Sequence, residues 1–88
     1  MGARFEGKVV LVIGGNSGIG RAAALAYAAE GGQVVITGRD AATLQAVATE
    51  IGPRTLAVRA DLAAIDSTDE VVRQVRERHG RVDVLFVN

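Results

Sequence analysis

Residues 9–20 read Val-Val-Leu-Val-Ile-Gly-Gly-Asn-Ser-Gly-Ile-Gly, an apolar run that passes directly into a glycine-rich loop. An alanine-rich stretch with helical spacing follows. The first N–H groups of a helix have no partner within the helix, and the helix dipole favours an anion beside them. This part of the sequence therefore predicts a strand, a phosphate-binding loop and a helix in succession.

Strands and helices are expected to alternate along the whole chain. Apolar or β-branched runs predict strands at residues 8–13, 33–37, 55–59 and 82–87. Three helical stretches lie between them: residues 18–30, a helix capped by Asp40, and one that begins at the Ser-Thr-Asp-Glu capping box of residues 67–70. In the first helix, Ala22, Ala23 and Ala26 are expected to lie against the sheet.

This order of elements, β-α-β-α-β-α-β, predicts the α/β class with a mainly parallel sheet. Right-handed crossovers and a nucleotide loop after the first strand favour a Rossmann-like, doubly wound sheet of strand order 3-2-1-4.

The composition excludes several classes of function. Ten basic and ten acidic residues among 88 leave no net charge that would recruit nucleic acid or an anionic membrane. The absence of cysteine, with a single His79, argues against disulfides, cysteine nucleophiles and a zinc site, so no metal is expected. The longest apolar run, residues 9–13, is far short of a membrane span, and the first residues carry no apolar signal core. These features predict a soluble, cytoplasmic protein.

Two phosphate-binding motifs compete for the glycine loop. The P-loop motif needs Lys and then Ser or Thr after its last glycine, but Arg21 and Ala22 follow Gly20. The dinucleotide motif G-x-G-x-x-G/A is met by residues 18–23, between a strand and a helix as that motif requires. The hypothesis of a nucleoside triphosphatase is therefore weaker than that of a dinucleotide-binding site, which the sequence predicts.

The spacing Gly14-x-x-x-Gly18-x-Gly20 resembles the classical short-chain dehydrogenase/reductase family, whose loop reads Thr-Gly-x-x-x-Gly-x-Gly. Ile13 stands where the family usually has Thr, which removes a loop hydroxyl and is expected to loosen the turn. The loop residues expected to contact the cofactor are Gly14, Asn16, Ser17, Gly18 and Ile19.

The end of the second strand bears on the choice of dinucleotide. The family's NAD-selecting acid would fall at Gly38, and Arg39 follows, where NADP-preferring members often carry a basic residue. A guanidinium can hold a 2′-phosphate by paired hydrogen bonds, so NADP(H) is predicted in preference to NAD(H). Two alternatives stay open: Arg39 as a solvated surface charge, and Asp40 as a ribose ligand instead of a helix N-cap.

The resemblance also implies cofactor contacts after the third and fourth strands. Asp61-Leu62 matches the place where the family has an Asp that binds the adenine amino group. Asn88 matches the first residue of the family's Asn-Asn-Ala-Gly motif.

No catalytic residue is predicted within residues 1–88. The family's chemistry uses a Tyr-x-x-x-Lys pair with a Ser upstream, whereas the only lysine, Lys8, precedes the only tyrosine, Tyr27. Tyr27 is interpreted as packing, and His79 as a residue that complements a helix dipole.

The resemblance covers the chain but only the amino-terminal part of a family domain. Residues 1–88 are therefore expected to be the dinucleotide-binding part of one Rossmann domain in a truncated enzyme, whose absent remainder would supply catalysis, substrate pocket and homo-oligomer contacts. The parent would be an oxidoreductase that moves hydride between nicotinamide and a carbonyl or alcohol. The alternative is a free-standing nucleotide-binding or interaction module without activity, whose exposed strand edge pairs with another chain.

Overall fold

The computed structural model describes residues 4–16, 18–61 and 65–88, and the predicted alternation of strands and helices is confirmed there. The elements are β1 (Val9–Ile13), α1 (Gly18–Ala29), β2 (Gln33–Gly38), α2 (Ala41–Ile51), β3 (Leu56–Arg59), α3 (Ile65–Arg78) and β4 (Val84–Val87). Short loops join them, so each strand is followed closely by the helix that crosses over to the next.

The four strands form one parallel sheet in the order β3-β2-β1-β4, as predicted. Val10 of β1 lies opposite Val34 of β2 and Val84 of β4. All strands end at the same side of the sheet because they are parallel. Residues just beyond each strand, far apart in sequence, therefore meet there.

The sheet packs against helices on both faces, which makes the fold a Rossmann-like α/β arrangement. On one face, Val10, Val12 and Ile36 pack against α1 and α2. On the other face, Val35 and Val58 pack against Val71 and Val75 of α3. The near-continuous apolar runs of β1 and β2 follow from this burial on both sides.

The face of α1 that meets the sheet differs from the prediction. Gly20 and Ala24 are buried, whereas Ala22 and Ala26 are exposed. A run of alanines carries little amphipathic periodicity, so the sequence does not fix the rotation of the helix. The rotation of α1 is fixed instead by the close contact between Gly20 and the Gly14 carbonyl.

The predicted start of α3 is also wrong. The helix begins at Ile65, so residue 67 lies inside it and is not its N-cap. Neither Gly nor Pro occurs between residues 65 and 70, so these residue types are compatible with a helix that begins before residue 67. The end of α3 at Arg78 lies close to the predicted end before Gly80. Gly80 has a φ of +81°, and its N–H donates to the carbonyl of Val75, as at many helix ends.

The amino ends of β1 and β4 are joined by an ionic cluster. Asp83 Oδ2 accepts from the Val9 N–H at 2.7 Å and from Arg81 Nε at 2.9 Å. Arg81 also donates to the Gly7 carbonyl. The backbone completes the contact, because the Asp83 N–H donates to the Val9 carbonyl.

Tyr27 packs as expected, with its ring edge-on to Phe5 at 4.9 Å between centroids. β4 lies at one edge of the sheet, and its Leu85 and Val87 side chains are 60% and 67% exposed. In the described part of the chain, no helix combines the length and the apolar character needed to cross a membrane.

Candidate functional site

A groove of about 640 Å³ lies at the carboxyl ends of the strands. Five of the residues predicted to bind the cofactor line it together: Gly14, Asn16, Arg39, Asp61 and Asn88. The other lining residues are Ile13, Thr37, Gly38, Asp40 and Ala60. Ser17 and Leu62, also predicted, lie outside the described residues.

The glycine loop is tied to the neighbouring strand by Thr37. The Gly14 N–H donates to the Thr37 carbonyl at 3.1 Å and to its hydroxyl at 3.3 Å, and the Gly15 N–H donates to the same carbonyl. Thr37 is 1% exposed and lies opposite Ile13 in the sheet register. Thr37 therefore binds the loop from β2, although Ile13 supplies no hydroxyl; a looser turn at Ile13 stays a prediction.

The loop also requires close approach between backbone atoms. A β-carbon at Gly20 would collide with the Gly14 carbonyl oxygen and lie 2.9 Å from Asn88 Nδ2. Asn88 Nδ2 itself donates to that carbonyl at 3.2 Å. The first turn of α1 is thereby held against both the loop and the residue after β4.

The outer side of the loop is open. Gly18 has a φ of +57°, and no atom lies within 4 Å of the position a β-carbon would take. Ile19, the next residue, is 71% exposed. Free space beside the first N–H groups of α1 fits an anionic group of a ligand. A side chain at Gly18 would both fill this space and strain the backbone.

The end of β2 carries no acid that faces the groove, because Gly38 is there. A β-carbon at Gly38 would lie 2.7 Å from Asn16 Cγ, so the Asn16 side chain occupies the space over this glycine. A longer residue at position 38 would have to displace Asn16.

Asp40 is the N-cap of α2, as the more favoured interpretation held. Its Oδ1 accepts from the Ala42 N–H at 3.0 Å, and its Oδ2 accepts from the Thr43 hydroxyl at 3.0 Å. The hydrogen bond from the Thr43 hydroxyl, followed by those from the backbone of Ala42 and Thr43, lowers the pKa of the Asp40 carboxyl. These contacts engage both oxygens of the carboxylate.

Arg39 projects at the rim of the groove. Its side chain is exposed, and within the described ranges its guanidinium makes no hydrogen bond or ion pair. Its backbone carbonyl accepts from Nε of Arg59, the last residue of β3, at 3.0 Å. A second guanidinium, that of Arg59, therefore lies beside the backbone of a groove residue, although Arg59 does not itself line the groove.

His79 does not belong to the groove, since it follows α3 at the amino ends of the strands. Burial, and secondarily the charge of Arg78, lower the pKa of its imidazole. A lowered pKa disfavours the cation that a role in complementing the helix dipole would need. Across the described ranges, no three acidic or histidine side chains converge as ligands for a metal.

Sequence reasoning missed Thr37 and Arg59. Thr37 carried a weak signal, since a hydroxyl at the end of an otherwise apolar strand calls for a partner when buried. Arg59 carried none, because its contact with Arg39 depends on the pairing of β2 with β3.

The geometry defines a Rossmann-like α/β protein, in which a glycine loop between β1 and α1 borders a groove at the carboxyl ends of the strands. Residues 8–88 match the family described as short chain dehydrogenase. The chain belongs to this family.

Individual relatives agree with this membership. The chain is 39% identical over 85 residues to the sorbitol dehydrogenase of Cereibacter sphaeroides, covering 97% of this chain and 33% of that protein. A short chain dehydrogenase from Bacillus anthracis superposes with a TM-score of 0.88 at 38% identity, over 93% of this chain and 34% of the other.

A third relative was solved with a dinucleotide. The 3-ketoacyl-(acyl-carrier-protein) reductase from Brucella melitensis complexed with NADH superposes with a TM-score of 0.87 at 42% identity, over 91% of this chain and 33% of that one. The present chain thus spans about a third of the length of the relatives it matches.

Proposed function

We propose that this chain is the NADP(H)-binding portion of an oxidoreductase that moves hydride between nicotinamide and a carbonyl or alcohol substrate. In this proposal residues 1–88 are the amino-terminal part of a single cytoplasmic Rossmann domain. The observation that carries it is the shared groove, in which the glycine loop, Arg39 and Asn88 lie together. Membership of the short chain dehydrogenase family supports the reaction class.

The residues of this chain would bind and orient the cofactor. The loop from Gly14 to Gly20 offers backbone donors and open space for the pyrophosphate, and Gly20 permits the close approach of helix and loop. Asp61 and Leu62 are assigned to the adenine, and Asn16 and Ile19 to the surrounding contacts. Asn88 holds the Gly14 carbonyl and so supports the loop itself. The nicotinamide supplies or accepts the hydride when the cofactor is bound.

The preference for NADP(H) rests on three neighbouring residues. Gly38 has no carboxylate to accept a ribose hydroxyl, and the carboxylate of Asp40 is engaged in capping α2. Arg39 is left as an exposed guanidinium that can pair with a 2′-phosphate. One relative is complexed with NADH, so the preference has to come from these residues and not from the fold.

Catalytic proton transfer is assigned to residues outside this stretch. Residues 1–88 contain no Tyr-x-x-x-Lys pair, so the 88 residues alone are expected to bind cofactor without turning over substrate. Substrate binding and homo-oligomer contacts would also come from the remainder of the enzyme.

The second candidate function is a nucleotide-binding or interaction module without catalytic activity. The observation that favours it is the exposed apolar edge at Leu85 and Val87. Self-association through β4, together with cofactor affinity and no turnover in the full-length protein, would support it over the first.

Titration of the protein with NADPH and with NADH tests the cofactor assignment. Arg39→Ala is expected to weaken NADPH binding about tenfold while changing NADH binding little, because only NADPH loses a charge-assisted contact. The matched control is Arg54→Ala, an exposed arginine in the loop before β3, at the opposite ends of the strands. Equal losses for both cofactors would refute the 2′-phosphate assignment.

A further inference from the structure

Arg59 joins the end of β3 to the segment that would read the 2′-position of the cofactor. It lies opposite Gly38 in the register of β2 and β3, and its Nε donates to the Arg39 carbonyl at 3.0 Å. The next residue repeats the link, since the Ala60 N–H donates to the Gly38 carbonyl at 2.9 Å. The backbone on both sides of the Gly38–Arg39 bond is therefore held from β3.

We propose that Arg59 is a second determinant of cofactor specificity: it fixes the backbone of Arg39 and adds a positive charge beside the 2′-phosphate. This inference rests on the proposed preference for NADP(H), which it extends from one arginine to two.

The negative charge of Asp40 suggests a second role for Arg59, in addition to its hydrogen bond to the Arg39 carbonyl. Asp40 lines the same groove, and its carboxylate would repel a phosphate dianion bound at Arg39. The capping hydrogen bonds keep this carboxyl ionised, and the positive charge of Arg59 contributes in the same direction to its lowered pKa. Arg59 thus offsets a negative charge that α2 requires at its amino terminus.

The geometry leaves part of the Arg59 guanidinium available. Nε is engaged by the Arg39 carbonyl, while neither terminal nitrogen makes a hydrogen bond to the residues that the structure describes. The link between the end of β3 and the Arg39 carbonyl uses only one donor of the guanidinium, Nε. The Arg59 side chain is exposed and contacts the backbone of Arg39, a residue of the groove, although Arg59 does not itself line the groove. Its remaining donors and delocalised charge can therefore bind an anion held at Arg39.

The experiment compares two small probes that differ only in the 2′-phosphate. Dissociation constants of adenosine 2′,5′-bisphosphate and of 5′-AMP are measured by calorimetry at low salt for the full-length protein. Their ratio is the selectivity. Arg59→Leu is expected to lower it about three- to fivefold, a range typical of one exposed charge interaction. Arg59→Lys, which keeps the charge, is expected to retain most of it, and the control Arg54→Leu all of it.

A second variant separates charge from backbone support. Asp40→Asn keeps a good N-cap but removes the negative charge. In the Arg59→Leu background it is expected to recover part of the lost selectivity, since the uncompensated repulsion disappears. Increasing salt should also reduce the selectivity of the wild type more than that of Arg59→Leu.

The outcomes distinguish this inference from the proposed function. A wild-type selectivity near one overturns both. A clear wild-type preference for the bisphosphate that Arg59→Leu leaves unchanged, even if that variant unfolds at lower urea concentration, overturns the role of Arg59 alone. Loss of selectivity in Arg59→Leu with rescue by Arg59→Lys supports it.

Discussion

Strands β1 and β4 are held together by different contacts at their amino ends and at their carboxyl ends. At the amino end, Asp83, Arg81 and the backbone of Val9 satisfy one another in an ionic cluster. At the carboxyl end, the contact depends on the absence of a side chain at Gly20, on the side-chain amide of Asn88, and on the Asn88 N–H, which donates to the Ile13 carbonyl. The polar groups at the amino end are paired with one another, while the carboxyl end leaves open space at Gly18 and borders the groove through Gly14 and Asn88.

This difference separates stability from binding within a single pair of strands. At the amino end, the charges of Asp83 and Arg81 neutralise each other, so this end is not expected to bind a ligand. At the carboxyl end, the space beside Gly18 at the start of α1 is open, so the first N–H groups of this helix are accessible to an anionic ligand. Substitutions at the two ends should therefore affect different measurements.

The largest effect is expected from Gly20→Ala at the carboxyl end. The added methyl group would meet the Gly14 carbonyl, and overpacking of this kind lowers the free energy of unfolding by about 2–3 kcal/mol. Urea denaturation measures the loss, and cofactor binding should weaken with it. Gly7→Ala serves as the control, since Gly7 has a φ of +80° but open space around it; a loss of only about 1 kcal/mol is expected from its backbone strain. Similar losses in the two variants would contradict the importance of the close contact.

Gly38→Asp tests the groove with less disturbance of the fold. The new carboxylate must displace Asn16 and repels a phosphate, so affinity for adenosine 2′,5′-bisphosphate should fall about tenfold. Affinity for NADH should rise clearly only when Asn16→Ala is added, because the shorter side chain gives the carboxylate its place. Gly38→Ala, which displaces Asn16 without a charge, is the control. If Gly38→Asp alone binds NADH as tightly as the double variant, the steric role assigned to Asn16 is wrong.

Asp83→Asn tests the amino end and its dependence on pH. Hydrogen bonds from the Val9 N–H, and then from Arg81, lower the pKa of the Asp83 carboxyl in the folded protein. A folded-state pKa below the unfolded value stabilises the protein at neutral pH, and this contribution disappears as the pH falls through the lowered folded-state pKa of Asp83. The variant should unfold at lower urea concentration than the wild type at pH 7, and the difference should shrink at pH 3. Its affinity for NADPH should stay unchanged; a weaker affinity would show that the two ends are coupled.

The smallest effect is expected from Thr37→Val. The substitution removes the 3.3 Å contact between the hydroxyl and the Gly14 N–H but keeps the carbonyl that binds the same group. We expect a loss of less than about 1 kcal/mol in stability and a weakening of cofactor binding of about twofold. A Thr37→Ser variant should behave as the wild type in cofactor titrations. A tenfold loss in Thr37→Val would mean that the hydroxyl, not the carbonyl, is the main tether of the loop.

The sequence was sufficient for the parts of the fold that depend on local patterns. Apolar runs, Asp40 as a cap and the glycines after the helices predicted the order of elements, and the loop spacing predicted the family. Each of these signals lies within a few residues of the feature it predicts.

Features that depend on contacts across the sheet could not be predicted from local sequence patterns. The rotation of α1 is fixed by Gly20 against Gly14, and a run of alanines does not reveal it. Thr37 and Arg59 reach the site only because β2 pairs with β1 and β3. The start of α3 was misplaced because a capping motif can also occur inside a helix, where its residues are ordinary helical positions.

The hydrogen bond from Asn88 to the Gly14 carbonyl joins residues 74 positions apart. Contacts of such sequence separation form late, because a long loop must close before they contribute. During synthesis, the glycine loop leaves the ribosome well before Asn88 does. The nascent chain therefore contains the whole glycine loop before the contact from Asn88 can form. If the chain binds a dinucleotide as proposed, the bound cofactor would stabilise the arrangement in which β4 is docked.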